Sequence, residues 1–103
     1  MPKYVVLVNF TDEGIRRQQD SAGSAARTKE RDARAKELGI TQEAIYLTMG
    51  PYDRVAVYDA PSDEAMAKFS LWVGGRGSVR TLTMRAFTEA ESAYILGEQG
   101  HSS

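Results

Sequence analysis

Hydrophobic and polar positions along the chain predict four strands and three helices. Residues 3–10 are apolar on both faces, which is typical of a central strand. Residues 43–49, 54–59 and 78–87 alternate apolar and polar side chains, which predicts three further strands. Residues 62–73 repeat apolar side chains at helical spacing, which predicts a helix. Thr88 and Glu91 have the spacing of a capping box, which predicts a short last helix through Leu96.

The segment between the first two strands is the weakest amphipathic pattern. It is highly charged from residue 15 to residue 38, and most of its apolar residues are alanines. We expect Ser21, Gly23 and Ser24 to divide it into a short turn and a longer helix. Small side chains bury little area, so this helix is predicted to be the least stable element. Its charged residues are expected to form a solvated face, among them Arg27, Arg31 and Arg34.

The element order β-α-β-β-α-β is that of an α+β, ferredoxin-like sandwich. Two helices cover one face of a four-stranded sheet, while the first and third strands, central in this arrangement, are apolar on both faces. The second face would therefore expose a larger apolar patch than monomers usually tolerate. We expect a second copy to pack against it, sheet to sheet. A single domain is predicted over residues 1–97, followed by a flexible tail over residues 98–103.

Composition excludes several classes of function. The 103 residues include 13 basic and 14 acidic side chains, for a net charge of −1, which argues against a nucleic-acid interface or a basic membrane patch. Cysteine is absent, which excludes disulfides and thiol chemistry. There is no apolar run of the roughly 20 residues that cross a bilayer, and no signal-peptide pattern. These features are typical of a cytoplasmic protein that binds neither membranes nor nucleic acid.

The titratable side chains also limit the chemistry. The one histidine, His101, lies in the predicted tail. A histidine-based triad, a histidine-rich metal centre or a general-base histidine is therefore not expected. No metal and no cofactor are predicted, and whether the protein is an enzyme stays open.

Met49-Gly50-Pro51-Tyr52-Asp53 lies between the second and third strands and is the segment with the most distinctive chemistry. Glycine, proline and aspartate are ordinary turn residues, which favours a hairpin turn whose carboxylate binds backbone amides. A turn does not require Tyr52, however, and a phenol beside a carboxylate at a strand end suits ligand contact. Both interpretations remain open at the level of sequence.

With these elements placed, the chain resembles the GYD-domain family, which is named for a Gly-x-Tyr-Asp turn. The resemblance covers residues 2–12, 46–50 and 79–88 besides Gly50, Tyr52 and Asp53. It implies a dimeric α/β barrel, and the family has no settled function. The alanine- and arginine-rich first helix departs from the family, where larger aliphatic residues are usual. The packing of that helix, and the width of any cavity beneath it, therefore do not follow from the resemblance.

The second half of the chain is also similar to the effector-binding module of Lrp/AsnC-type regulators. There, a Gly-x-Tyr-Asp turn and a Val-x-x-Thr-x-Thr strand lie where subunits meet around a small ligand. The matching strand residues here are Val79, Thr81 (shifted by one position) and Thr83. A helix-turn-helix does not precede them, so the resemblance does not imply DNA binding.

Period-2 counting predicts a set of polar side chains on the sheet face opposite the helices, with Tyr58 beside them. Hydroxyls and a guanidinium in a barrel interior suit either a polar or anionic ligand or hydrogen bonds between subunits. Together with the turn, the predicted ligand-binding residues are Asn9, Tyr46, Thr48, Gly50, Tyr52, Asp53, Thr81, Thr83 and Arg85. Gly74-Gly75-Arg76-Gly77 is interpreted as a helix stop, with an anion site as the alternative.

Three functions fit these residues. The favoured hypothesis is a homo-oligomer, at least a dimer, that binds a small molecule near the turn and the subunit interface. The alternative is a cofactor-independent oxygenase or isomerase in the same cavity, since some enzymes of similar barrel form use an asparagine and a tryptophan, and Asn9 and Trp72 are present. Trp72, however, is expected in the core between helix and sheet. The third possibility is a structural or interaction protein without a ligand.

Overall fold

A computed structural model describes the backbone of residues 1–101 and the side chains of residues 1–97. The predicted order of elements is confirmed, with the first helix divided in two. The elements are β1 (Lys3–Phe10), α1 (Asp12–Gln18), α2 (Ser21–Glu37), β2 (Thr41–Leu47), β3 (Arg54–Asp59), α3 (Asp63–Gly75), β4 (Val79–Ala86) and α4 (Glu89–His101). The predicted tail begins inside α4, and residues 102 and 103 lie outside the described residues.

The four strands form one antiparallel sheet in the order β2-β3-β1-β4. β1 and β3 are therefore central, as the sequence predicts. Val6 lies opposite Ala56 on one side and Thr83 on the other, which fixes the register across the middle of the sheet. Residues that pair directly across antiparallel strands project from the same face, so this register decides which side chains share a surface.

Polar side chains cap the first three helices. Thr11 accepts the Gly14 N–H at 3.0 Å at the start of α1. Asp20 accepts the Gly23 N–H at 3.2 Å and begins α2. The break between the two helices therefore falls before Ser21, ahead of the predicted position, because an aspartate N-cap satisfies the first free amides of a new helix. Ser62 caps α3 in the same way, through the Ala65 N–H.

α1 packs closely against the chain that leads into β4. The Thr11 N–H donates to the Ser78 carbonyl at 3.0 Å, and the Thr11 hydroxyl donates to the Gly77 carbonyl at 2.7 Å. A Cβ atom at Gly14 would lie 1.9 Å from the Ser78 carbonyl oxygen. Only glycine fits at this contact, which holds the first helix to the end of the sheet.

The hydrophobic core lies between one face of the sheet and the helices. β1 buries alternate residues there, and α3 contributes Met66 and Phe69, with Trp72 stacked on Phe69 at a ring-centroid distance of 6.4 Å. Trp72 thus packs between helix and sheet, as predicted. The buried apolar residues are Tyr4, Val6, Val8, Ala35, Ile40, Ala56, Tyr58, Ala60, Met66 and Phe69.

α2 contributes little to this core. Ala35 is its one buried residue, and Leu38, just after its end, packs partly against the core. The helix contacts α1 and α3 more than it contacts the sheet. Most of the helix therefore stands off the sheet, which agrees with the small side chains predicted along it.

The second face of the sheet carries no helix and is apolar across its middle. Leu7 lies opposite Val55 and Leu82, and in the next row Val5 lies opposite Val57 and Met84. These six residues are named the open face. The β1 and β3 members are half-buried, whereas Leu82 and Met84 are exposed.

One prediction about this face is wrong. The polar residues predicted to project from it lie on the helix side instead; they are Tyr58, Thr81, Thr83 and Arg85. In the observed register they lie opposite Tyr4, Val6 and Val8, which are buried beneath the helices. Leu82 and Met84, rather than the threonines between them, face away from the helices, because β4 presents its apolar side to the open face.

α4 begins with the predicted capping box. The Thr88 N–H donates to Glu91 at 2.8 Å, and the Glu91 N–H donates to the Thr88 hydroxyl at 3.1 Å. Hydrogen bonds from the Thr88 backbone and side chain lower the pKa of the Glu91 carboxyl. The helix continues past Leu96 to His101, makes few contacts with the rest of the described chain and exposes Tyr94.

None of the described helices combines the length and apolar composition that crossing a membrane requires.

Candidate functional site

The turn between β2 and β3 is held by its own polar groups. Gly50 adopts φ of 107°, which favours glycine because it has no Cβ. The Thr48 N–H donates to the Asp53 carbonyl at 2.8 Å, and the Thr48 hydroxyl donates to the Tyr52 carbonyl at 2.7 Å. Thr48, one of the predicted ligand-binding residues, therefore closes the turn.

Asp53 joins this turn to the central strand. Its N–H donates to the Val8 carbonyl at 2.9 Å, and its carboxylate accepts the Phe10 N–H at 2.9 Å. The predicted structural role of the carboxylate, binding backbone amides, is thus observed. Asn9 lies between these two contacts, and strand alternation puts its side chain on the open-face side of the sheet.

Tyr52 is the residue of the turn whose polar group stays free. Its side chain is half-buried, and no hydrogen-bond partner for its hydroxyl is found among the described residues. Near it, the end of β2 and the turn expose large apolar side chains: Tyr46 is 64% exposed, Leu47 76% and Met49 98%. Apolar surface of this kind at a sheet edge is typical of an interaction site.

The structure therefore divides the predicted site. Six of its nine residues lie together at the turn and the adjoining end of the sheet: Asn9, Tyr46, Thr48, Gly50, Tyr52 and Asp53. The other three project from the helix side of β4, where Thr81 and Thr83 are half-buried and Arg85 is exposed. Thr83 is within 3.0 Å of the Ser70 hydroxyl, and the Arg85 guanidinium lies over the rings of Tyr4 and Phe87.

Charged residues border the open face at its other end. Lys3 forms ion pairs with Asp59, at 3.0 Å, and with Glu43. The pKa of the Lys3 ammonium is raised, mainly by its hydrogen bond with Glu43 and to a smaller extent by that with Asp59. The pKa of the Asp59 carboxyl is lowered, mainly by its hydrogen bond with Glu43 and to a smaller extent by that with Lys3. The apolar surface thus has a polar boundary on the side away from the turn.

A cleft on the helix side of the sheet is the feature that sequence reasoning missed. It has a volume of about 110 Å³ and opens between α2, α3 and the sheet. Four arginines line it, namely Arg27, Arg31, Arg54 and Arg76. The prediction that Arg27 and Arg31 belong to a solvated face is therefore wrong. Ser24, Arg27, Thr28 and Arg31 recur at helical spacing, and this polar stripe was the available signal.

The remaining titratable groups give no metal centre. Among residues 1–97, no three histidine, aspartate or glutamate side chains are grouped so that they would hold a metal ion. At the end of α3, Gly74 to Gly77 ends the helix as predicted, and the Arg76 guanidinium lies 4.6 Å from the centre of the Trp72 ring.

Comparison with known proteins identifies a matching family and a similar protein. The chain matches the GYD domain over residues 4–96. It is 33% identical over 92 residues to a Thermus thermophilus protein named "Glutamine synthetase and cystathionine beta-lyase binding protein". The aligned part is 88% of this chain and 94% of that protein.

Solved structures confirm the fold. The protein FFRP-DM1 superposes with a TM-score of 0.51 at 18% identity, over 84% of this chain and all (100%) of that chain. A hypothetical protein of Pyrococcus horikoshii, PHS023, superposes with a TM-score of 0.50 at 18% identity, over 86% of this chain and 93% of that chain. At these identities the likeness establishes the architecture alone.

Proposed function

The chain belongs to the GYD-domain family, and from that premise we propose that it is a self-associating binding protein whose ligand site lies near the turn at residues 50–53. Two copies pack sheet to sheet through the open face, and the turns lie at the edge of the resulting interface. The pair has the form of a dimeric α/β barrel.

The open face is the observation that carries this proposal. Its six apolar residues form two adjacent rows across three strands, and Leu82 is 49% exposed in the single chain. Burial of apolar surface contributes about 25 cal/mol per Å², so covering these rows favours association. Lys3, Asp59 and Glu43 stay at the polar boundary, where an interface is normally wet.

The association is tested by light scattering at micromolar concentration. The wild type should give a multiple of the 11.4 kDa chain mass. Leu82→Asp should give the mass of one chain, because a carboxylate would be buried without a partner in the pair. Leu71→Asp is the matched control, since Leu71 is 77% exposed on α3, away from the open face. A wild-type protein of single-chain mass would contradict the proposal.

The ligand site near the turn is supported by Tyr52 and its surroundings. The free phenol and the nearby Asn9 offer polar contacts, while the Asp53 carboxylate is already engaged by the Phe10 N–H. A thermal-shift screen of amino acids and neutral aromatic compounds on the wild type, repeated on Tyr52→Phe, tests this site. A compound that stabilises both proteins equally would place its binding site elsewhere.

The alternative of a cofactor-independent enzyme has less support. Asn9 projects from the open-face side, whereas Trp72 packs between α3 and the sheet, so the two residues lie on opposite sides of the sheet. The Asp53 carboxylate, which would act as a base, accepts a backbone hydrogen bond instead. Binding therefore fits the geometry better than catalysis.

A protein partner is a second candidate, favoured by the exposed Leu47 and Met49. The Thermus relative is named for binding glutamine synthetase and cystathionine beta-lyase, and we propose that this chain binds an enzyme of that kind through the turn end of β2. Each purified enzyme, from the organism that encodes the chain, is the probe in a biosensor titration. Met49→Glu should abolish binding while Leu71→Glu preserves it; equal binding by both variants would contradict this role for the turn.

A further inference from the structure

From residue 24 to residue 31, the side of α2 that faces the sheet is polar rather than apolar. Ser24, Arg27, Thr28 and Arg31 fall on one face of the helix and line the cleft. A surface helix normally turns its apolar stripe toward the core. Where a sequence departs from this rule, the departure commonly marks a functional site.

Opposite this polar stripe, the floor of the cleft is apolar. It is formed by Val6, Val8, Met66, Phe69 and Trp72. The volume of about 110 Å³ is of the same order as the engineered cavity of about 150 Å³ that binds benzene. The cleft therefore accommodates one ring or a short branched chain, and not a nucleotide.

The charged side chains that line the cleft are all positive. Its lining includes four arginines and, among the described residues, no aspartate or glutamate. Two of the arginines have acidic neighbours outside the lining: Arg76 pairs with Glu30, and Arg31 lies 3.6 Å from Asp32. Arg27 donates to the Arg17 carbonyl at 2.7 Å. Arg54 donates to the Gln18 side chain at 3.3 Å.

Arg31 and Arg54 are the two cleft arginines whose positive charges act on each other. The Nε of Arg31 is buried and lacks a hydrogen-bond partner among the described residues. Burial, and after it the positive charge of Arg31, lowers the pKa of the Arg54 guanidinium. Like charges repel each other, and the unsatisfied Nε of Arg31 adds to this cost, so an anion between the two guanidinium groups would recover free energy.

We propose that this cleft binds a small organic anion, a monocarboxylate whose uncharged body is one ring or a short branched chain. The carboxylate lies between Arg31 and Arg54, and the apolar body rests on Val6, Val8 and Phe69. Arginine suits this role because its planar guanidinium binds a carboxylate through two parallel hydrogen bonds.

The same features select against other ligands. An amino acid would bring an ammonium group beside four guanidinium groups. An inorganic anion would satisfy the arginines but leave the apolar floor uncovered. The site is separate from the turn, since it lies on the helix side of the sheet, and it does not depend on the proposed association.

Four compounds test the chemistry by isothermal titration calorimetry: benzoate, the matched benzamide and benzylamine, and sulfate. Benzoate should bind, benzamide should bind at least tenfold more weakly, and benzylamine should not bind. Equal affinity for benzoate and benzamide would contradict the role of the arginines. Equal affinity for benzoate and sulfate would contradict the role of the apolar floor.

Variants locate the site. Arg31→Gln and Arg54→Gln should each weaken benzoate binding roughly tenfold to hundredfold, which is the range for a charge-assisted hydrogen bond. Arg34→Gln is the matched control, because Arg34 is on the same helix and its Nε is also buried without a partner among the described residues, but it pairs with Glu37 at 3.0 Å and does not line the cleft. Equal weakening by all three variants would overturn the assignment.

A variant that narrows the cleft separates a binding defect from a folding defect. Thr28 lines the cleft and is exposed. Thr28→Leu therefore places a larger apolar side chain in the opening without displacing a buried group, so its melting temperature should be no lower than that of the wild type while benzoate binding is lost. Tyr52→Phe should leave benzoate affinity unchanged. Loss of benzoate binding in Tyr52→Phe, or full binding in Thr28→Leu, would place the ligand outside this cleft.

Discussion

The carboxylate of Asp53 accepts the backbone N–H of Phe10 at 2.9 Å. These residues are far apart in sequence, and the bond ties the turn between β2 and β3 to the end of the central strand β1. The backbone bond from the Asp53 N–H to the Val8 carbonyl, also 2.9 Å, lies beside it. The turn is thus a fixed part of the sheet.

Removal of this carboxylate should lower the free energy of unfolding. We expect Asp53→Ala to cost about 1.5–3 kcal/mol, since the Phe10 N–H would lose a charge-assisted bond. Asp53→Asn should cost less, because an amide oxygen still accepts. Tyr52→Phe is the control and should be nearly neutral. Urea denaturation of the four proteins measures the order, and an Asp53→Ala variant as stable as the wild type would contradict the structural role.

The contact between α1 and β4 gives a second prediction. Gly14→Ala should destabilise the protein by at least about 1–3 kcal/mol, the range for overpacking, since its Cβ would lie 1.9 Å from the Ser78 carbonyl oxygen. Gly74→Ala is the matched control: nothing lies within 4 Å of a Cβ there, and it should stabilise α3 by about 0.5–1 kcal/mol. Similar melting temperatures for the two variants would show that α1 is not closely packed.

Two buried tyrosines predict a loss of stability at alkaline pH. Burial raises the pKa of Tyr58 above 10.0; burial and then the hydrogen bond to Asp63 raise that of Tyr4. Because the folded-state pKa exceeds the unfolded value, this contribution to stability is complete below about pH 10 and is lost as the pH rises through the folded pKa.

Thermal melts across this alkaline range, with phenolate absorbance recorded in parallel, measure the effect. Tyr58→Phe should lose less stability than the wild type as the pH rises, because it carries one buried phenol fewer. Tyr94→Phe is the control, as Tyr94 is exposed on α4, and it should follow the wild type. An identical pH dependence in Tyr58→Phe would contradict this origin of the alkaline instability.

The weak attachment of α2 gives the fourth prediction. Its amide hydrogens should exchange with solvent before those of β1, because Ala35 is its one buried residue whereas β1 buries Tyr4, Val6 and Val8. Hydrogen exchange followed by NMR measures this order at each residue. Benzoate at saturation should slow exchange in α2 more than in α4, and the opposite order of exchange between α2 and β1 would show that another contact anchors the helix.

The sequence pattern was sufficient for the elements and the sheet order. Thr11 and Ser62 are helix caps, and β1 is apolar on both faces, so these signals are local. The orientation of β4 was not predictable in the same way. The residues of β4 form two alternating sets, Leu82 with Met84 and Thr81 with Thr83. Which set faces the helices depends on the register of β4 with β1. A shift of one residue in strand register moves every side chain to the other face.

One part of the candidate site was predictable from the sequence, and another part was not. The residues of the turn adjoin one another in the chain, so their proximity follows from the hairpin. The cleft is assembled from separate segments: Arg31 is on α2, Arg54 on β3 and Arg76 at the end of α3. Charged residues on a helix usually face solvent, and only the folded structure shows that Arg27 and Arg31 line a cleft between α2 and the sheet.

The open face has a consequence for how the stability of this protein depends on its amount. If the folded chain pairs through Leu7, Leu82 and their neighbours, folding and association are linked by mass action. Dilution would then lower the melting temperature with no change in sequence or buffer. A variant that weakens pairing would behave as a destabilised protein in dilute samples and as a normal one in concentrated samples.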